Sequence, residues 1–166
     1  MKAHYFYIIL FIISTALWAD VREHVLSNGL TLLIQHVESS QPIAIKLFYK
    51  VGSKHETTNE KGIAHLLEHM VFKGTKTLSE TDIPVACQML ATEFNAATSH
   101  DWTVFYFNTP IQHWRHMFTI LADCMSNCTF KPDLLNAELH VVIQELKMYK
   151  DNYMRTLLEK LDKAIF

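Results

Sequence analysis

Two histidines four residues apart with a glutamate between them, His65, Glu68 and His69, are the side chains in this chain best placed to do chemistry. On a helix each residue advances by about 100°, so with His65 at zero Glu68 falls at about −60° and His69 at about 40°. The two imidazoles and the carboxylate share one face, and imidazoles one turn apart can reach the same metal ion. Ile63, Leu66, Leu67, Met70 and Val71 fall on the opposite arc and are expected to be core, while Phe72, in the middle of the polar face, suggests that protein covers that face. Zinc takes nitrogen, sulfur or oxygen ligands in a tetrahedron, and a catalytic site leaves one position for water. Two imidazoles therefore need one more protein ligand. A helix expected from Asp133 onwards carries Glu138 and Glu145 two turns apart, on one stripe with Leu134, Val141, Val142, Met148 and Tyr149. A carboxylate directed at a core is costly unless it is paired or coordinates a cation, so either glutamate could complete the set. Glu68, on the histidine face without being needed as a ligand, is placed to take a proton from the water.

The remaining histidines and the cysteines carry less. His113 and His116, three residues apart beside Trp114 and Arg115, read as structural. Cys124 and Cys128 lie one helical turn apart, where a bridge would be strained, and Cys87 stands alone; all three are expected as reduced, partly buried thiols.

The elements that must position these groups follow from pattern. Residues 21–26 and 30–36 flank Asn28-Gly29 and read as a hairpin. Residues 42–51 are apolar and rich in β-formers, and are expected to join the same sheet. Residues 63–72 have helical periodicity, and residues 79–90 form a second helix with Ser79 as cap and Asp82 as partner in an approximate capping box. Residues 94–98 and 102–108 read as strands and 111–125 as a helix; the last helix starts after Pro132 and runs towards the end of the chain. The expected fold class is α+β, a mostly antiparallel sheet with helices packed on one face.

The N-terminus reads as something other than fold. Lys2 carries the only side-chain charge before Asp20, residues 5–19 are uncharged around an apolar centre at 8–13, and Ala16 and Ala19 precede the charged Asp20 and Arg22. This is the pattern of a secretory signal, with cleavage expected after Ala19 or, second, after Ala16. The expected organisation is a signal at 1–19 and one domain at 20–166, exported to the periplasm or secreted. Over 166 residues, 15 Lys+Arg against 17 Asp+Glu argue against an electrostatic nucleic-acid binder. With 49% hydrophobic and 19% charged residues the chain is not a disordered tail, and without a 20-residue apolar run it has no strong membrane span.

The histidine-leucine-leucine-glutamate-histidine order is that of the inverzincin signature, the reverse of the thermolysin-type order. Around it, Gly52-Ser53-Lys54-His55-Glu56 and the run from Gly62 through His65 and His69 to Phe72-Lys73-Gly74-Thr75 resemble the pitrilysin/insulinase/mitochondrial-processing-peptidase family of zinc peptidases. Asn95-Ala96-Ala97-Thr98 and the segment from Glu138 to Glu145 resemble it too. The resemblance implies one zinc per chain. In the family the third ligand lies about 76 residues past the second histidine, which here selects Glu145 over Glu138. It implies His65, His69 and Glu145 as ligands, Glu68 as general base and Glu138 as a supporting glutamate behind the site. Asn95 and Ala96 match the segment beside the substrate backbone. The implied activity is metalloendopeptidase cleavage of extended peptides added to a sheet edge. The family usually closes two related halves, or paired subunits, around its substrate, and the second half contributes an Arg-Tyr pair with no match here. The expectation is therefore a partial domain that needs a second half or partner subunit and turns over little alone. The alternative is a non-catalytic remnant or subunit that keeps the fold.

Overall fold

The computed structural model describes residues 21–38 and 42–165, in two compact units divided between Ser40 and Gln41. The export signal expected at 1–19 lies outside the described residues. The first unit is the expected hairpin, β1 (Val21–Val25) and β2 (Thr31–Gln35), antiparallel from Val21↔Gln35 to Val25↔Thr31. Gly29 takes the turn at φ +85°, and the Asn28 side-chain oxygen accepts from the Leu30 N–H. An L residue pays a steric penalty in that left-handed conformation, which glycine avoids.

The second unit holds a three-stranded antiparallel sheet. β3 (Ile43–Tyr49) and β4 (Glu93–Thr98) both pair with a central β5 (Thr103–Thr109), giving the order β3-β5-β4. The strand at 42–51 thus pairs with β5 and not with the hairpin, against the expectation of one sheet. The register explains this partnership. It aligns Ile45, Phe107 and Phe94 in one cross-strand row and Leu47, Phe105 and Ala96 in the next, and all six belong to one apolar cluster. A slip by one residue would turn every one of them to the other face.

Helices cover that face. α1 (Ile63–Met70), α2 (Asp82–Met89) and α3 (Trp114–Asn127) are followed by α4 (Pro132–Lys150) and α5 (Tyr153–Ile165). Val71 just past α1, Ile83 and Cys87 of α2, and Met117, Ile120, Leu121 and Cys124 of α3 close over Phe105 and Phe107. The opposite sheet face is mixed: the Lys46 ammonium lies over the Tyr106 ring and Asn108 donates to Glu93, beside Phe48 and a buried Val104. The chain is therefore α+β with its helices on one side of the sheet. No helix among the described residues is long and apolar enough to cross a membrane.

The helix expected at 111–125 is a 3-10 turn at Ile111–His113 followed by α3, which runs on to Asn127. Three further departures from expectation each have a local reason. α1 ends at Met70, because Gly74 at φ +114° and the Lys73 N–H bonded to the Met70 carbonyl turn the chain into Thr75. Phe72 therefore leaves the helix and packs edge-on against Phe94 and Phe105, ring centroids 4.0 and 5.5 Å away. In α2, Asp82 reaches back to the Ser79 N–H at 2.6 Å, but the Ser79 hydroxyl turns to Thr81, so only the acidic half of the expected box forms. The expected single C-terminal helix breaks at Asp151-Asn152, whose N–H groups close on the Lys147 and Tyr149 carbonyls. Asp and Asn are poor interior helix formers.

Candidate metal centre

α1 packs against both β4 and α4, which brings its histidine face between a sheet edge and a second helix. Its start is set from a distance. The Glu56 carboxylate accepts the Gly62 N–H at 2.8 Å and the Ala64 N–H at 2.9 Å, satisfying two donors that a helix N-terminus leaves free. Ala64, Met70 and Val71 are buried as helix packing requires, whereas Ile63 and Leu67, expected as core, are about half exposed at 56% and 46%. The side of α4 turned inward carries Leu135, Glu138, Val142, Glu145 and Tyr149, spaced three and four apart. Val141 and Met148, expected on that stripe, face outward. The two readings differ by less than one residue's rotation, about 100°, around α4, and both glutamates stay on the inward side.

The consequence is a convergence of three ligand atoms. His65 Nε2 and His69 Nε2 are 3.3 Å apart, and Glu145 Oε2 is 3.5 Å from the first and 3.6 Å from the second. A tetrahedral cation with bonds of about 2.0–2.1 Å sets its ligand atoms about 3.3–3.4 Å apart. The observed triangle has nearly the edges of one face of such a tetrahedron. Among the described residues these three form the one group of His, Cys, Asp or Glu side chains that could hold a metal ion. His113 and His116 belong to no such group among the described residues.

Behind His69 sits Glu138. Its Oε2 lies 3.0 Å from His69 Nδ1, and its side chain is only 10% exposed. A proton on Nδ1 donated to this carboxylate leaves the Nε2 lone pair free to face Glu145 and His65. The other oxygen, Oε1, takes the Lys73 ammonium at 2.6 Å. Burial pushes the Glu138 carboxyl up, but hydrogen bonds and charge from Lys73 and His69 outweigh it and hold the group below its ordinary range.

On the sheet side, Thr98 at the end of β4 donates its hydroxyl to Glu68 Oε2. Strand alternation puts Thr98, Ala96 and Phe94 on the helix-bearing face and Asn95 on the other. Asn95 and Ala96 sit on β4, an edge strand of the described sheet, where Asn95 Oδ1 accepts the Ala96 N–H at 2.8 Å and Ala96 lies towards the core. Glu56, Lys73 and Thr98 stand in the sequence motifs without a role that local pattern assigns. The period-two alternation from Phe94 would have aimed Thr98 at the helix. Lys73, four residues past His69, is a cation for a helix C-terminus, and nothing local ties it to Glu138, 65 positions away.

The cysteines are free thiols, with Cys87 and Cys124 buried and Cys128 half-buried just past the end of α3. Desolvation pushes the Cys124 thiol up to about 12, with Asp123 and the other two cysteines adding to it.

Comparison with known proteins agrees with this architecture. The family model described as insulinase (peptidase family M16) matches residues 31–166. An uncharacterized zinc protease of Rickettsia bellii is 37% identical over 141 residues, covering 85% of this chain and 34% of that protein. A probable mitochondrial-processing peptidase subunit beta of Schizosaccharomyces pombe is 31% identical over 120 residues, covering 72% of this chain and 26% of its own length. The crystal structure of a protease from Helicobacter pylori superposes with a TM-score of 0.76 at 30% identity, over 81% of this chain and 32% of that one. The chain thus spans a quarter to a third of the length of these relatives. The match over most of the chain, on an α+β scaffold shared with a solved protease, establishes that this chain belongs to the insulinase family of peptidases.

Proposed function

We propose that this chain carries the catalytic portion of a zinc-dependent endopeptidase that hydrolyses extended peptides. The observation that carries this reading is the near-equilateral triangle of His65 Nε2, His69 Nε2 and Glu145 Oε2, with Glu68 on the same helix face. The donor set suits zinc: two imidazoles and one carboxylate, the balance of a catalytic site that keeps a position for water. Zinc bound there lowers the pKa of water towards about 7 and polarises the scissile carbonyl.

The chain's own residues do the rest. Glu68 takes the proton from the attacking water and returns it to the leaving amine. The Thr98 hydroxyl holds one of its oxygens, leaving the other for that transfer. Glu138 orients His69. A peptide added along the β4 edge passes Asn95 and Ala96, and main-chain pairing there favours unfolded segments. The relatives' greater length supports a second half or a partner subunit that completes the chamber, and a relative named as a subunit accords with that. Residues 1–19 we assign to an export signal, which places the mature protein in the periplasm or outside the cell; the mass of the mature N-terminus tests this.

The experiment is Glu68→Gln in the full chain together with whatever half completes it. Zinc should stay at one per chain, while turnover of an unstructured peptide falls by a factor above about a hundred. Full rate in the variant refutes the base role. A parent that binds zinc but shows no turnover with its complement favours the non-catalytic subunit.

A further inference from the structure

Lys73 is a cation at the site to which the zinc reading gives no task. Lys73 Nζ lies 2.6 Å from Glu138 Oε1, and the opposite oxygen of the same carboxylate lies 3.0 Å from His69 Nδ1. We propose that Lys73 is a positioning residue for the metal site: it fixes the Glu138 carboxylate so that His69 presents Nε2 to the ion. This inference rests on the zinc-site reading and adds to it a residue that touches neither metal nor substrate.

The argument is geometric. A carboxylate on a helix can rotate about its last bonds, and a single hydrogen bond to His69 would not stop it. Two partners on its two oxygens do. Lys73 can hold that position because its own backbone is anchored. Its N–H donates to the Met70 carbonyl at 3.1 Å. Next to it, Gly74 stands at φ +114°, with a would-be Cβ 3.0 Å from the Leu78 carbonyl oxygen. Beyond it, the Gly74 carbonyl takes the Thr129 N–H at 3.0 Å and Thr75 bridges to Cys128. The turn after α1 is thereby tied to the chain just ahead of α4, and Lys73 spans from one to the other. The Lys73 side chain is two-thirds shielded and the Glu138 side chain nearly buried, so water is a poor substitute as a partner for the carboxylate. Removing the ammonium leaves a buried carboxylate oxygen without its partner, and that favours rotation away from His69.

Simple electrostatics predicts the opposite sign, which makes the test sharp. A positive charge near a dication repels it, so on charge alone Lys73→Met should bind zinc more tightly. Positioning predicts weaker binding. The measurement is zinc affinity of the full chain, by competition with a chromophoric chelator at fixed pH. It covers wild type, Lys73→Met, Lys73→Gln, Lys73→Arg and, as a remote charge control, Lys46→Met. Circular dichroism of each zinc-free chain separates lost fold from lost affinity.

The expected result is a loss of about tenfold in Lys73→Met and Lys73→Gln, the scale seen when a group behind a metal ligand is removed. Lys73→Arg should restore most of it, and Lys46→Met should match wild type. A readout that needs no metal accompanies it. Imidazole nitrogen shifts in the zinc-free chain should show the proton on His69 Nδ1 in wild type and a shift towards Nε2 in Lys73→Met. Affinity in Lys73→Met equal to or above wild type, with His69 unchanged, overturns this inference and leaves the zinc site standing. A folded wild type that binds no zinc overturns both.

Discussion

Glu56 is the test of how the histidine helix is placed. Its carboxylate closes the N-terminus of α1 from outside the helix, one oxygen on the Gly62 N–H at 2.8 Å and the other on the Ala64 N–H at 2.9 Å. Each is a charge-assisted bond worth about 1.5–3 kcal/mol, and the negative charge adds about 0.3–1 kcal/mol with the helix dipole. Water recovers part of this, since the neighbouring Ile63 is about half exposed. Glu56→Ala, which removes both acceptors, should therefore destabilise by about 2 kcal/mol, the upper range for losing a helix cap. Glu56→Gln keeps one acceptor and loses the charge, and should cost about 1 kcal/mol. With a urea slope of about 2 kcal/mol per molar, the midpoints should fall by about 1 M and 0.5 M at unchanged slope. Urea titration of zinc-free chains followed by far-ultraviolet dichroism reads this. Midpoints for both variants equal to wild type would show that α1 is held by its packing alone and refute the reasoning.

Gly52→Ala should be costly for a steric reason, since a Cβ there would stand 2.3 Å from the Ser99 carbonyl oxygen and 2.7 Å from that of His100. Overpacking against backbone costs up to about 3 kcal/mol, which lowers Tm by about 6–12 °C in calorimetry; an unchanged Tm would mean that the docking there, where the Ser53 and Lys54 N–H groups donate to the Ser99 and His100 carbonyls at 3.0 Å, contributes nothing. Cys124, fully buried with its thiol pushed up to about 12, should resist maleimide at pH 8 in the native chain, whereas half-buried Cys128 reacts. Mass mapping of the labelled peptides checks it, and labelling of Cys124 at the Cys128 rate would contradict it.

The parts of this molecule legible in the sequence are those whose physics is local. Asn28-Gly29 specifies its hairpin because few residues tolerate positive φ, and the spacing of His65, Glu68 and His69 is a helix face whatever surrounds it. The seven-residue spacing of Glu138 and Glu145 likewise keeps both on the inward side of α4, although Val141 and Met148 of the expected stripe face outward. What local pattern does not carry is pairing at a distance. Nothing within residues 42–51 says that β5, some sixty positions on, is the better partner than the adjacent hairpin; that follows from the shared rows of Ile45, Phe107 and Phe94. Between Glu138 and Glu145, periodicity left the choice open. The resemblance favoured Glu145, and the structure sets Glu145 beside both Nε2 atoms and Glu138 on the far nitrogen of His69. Glu56, Lys73 and Thr98 act across the fold, and so had no signature of their own.

The most direct test of the central claim is X-ray absorption at the zinc edge on the full chain loaded with one equivalent of zinc, beside His65→Ala, His69→Ala and Glu145→Gln. The account predicts one zinc per wild-type chain with only nitrogen and oxygen neighbours at about 2.0–2.1 Å, two of them imidazole. It also predicts loss of stoichiometric binding in both histidine variants and a weakened, altered shell in Glu145→Gln. Sulfur neighbours at about 2.3 Å, or zinc held equally by wild type and both histidine variants, would contradict it.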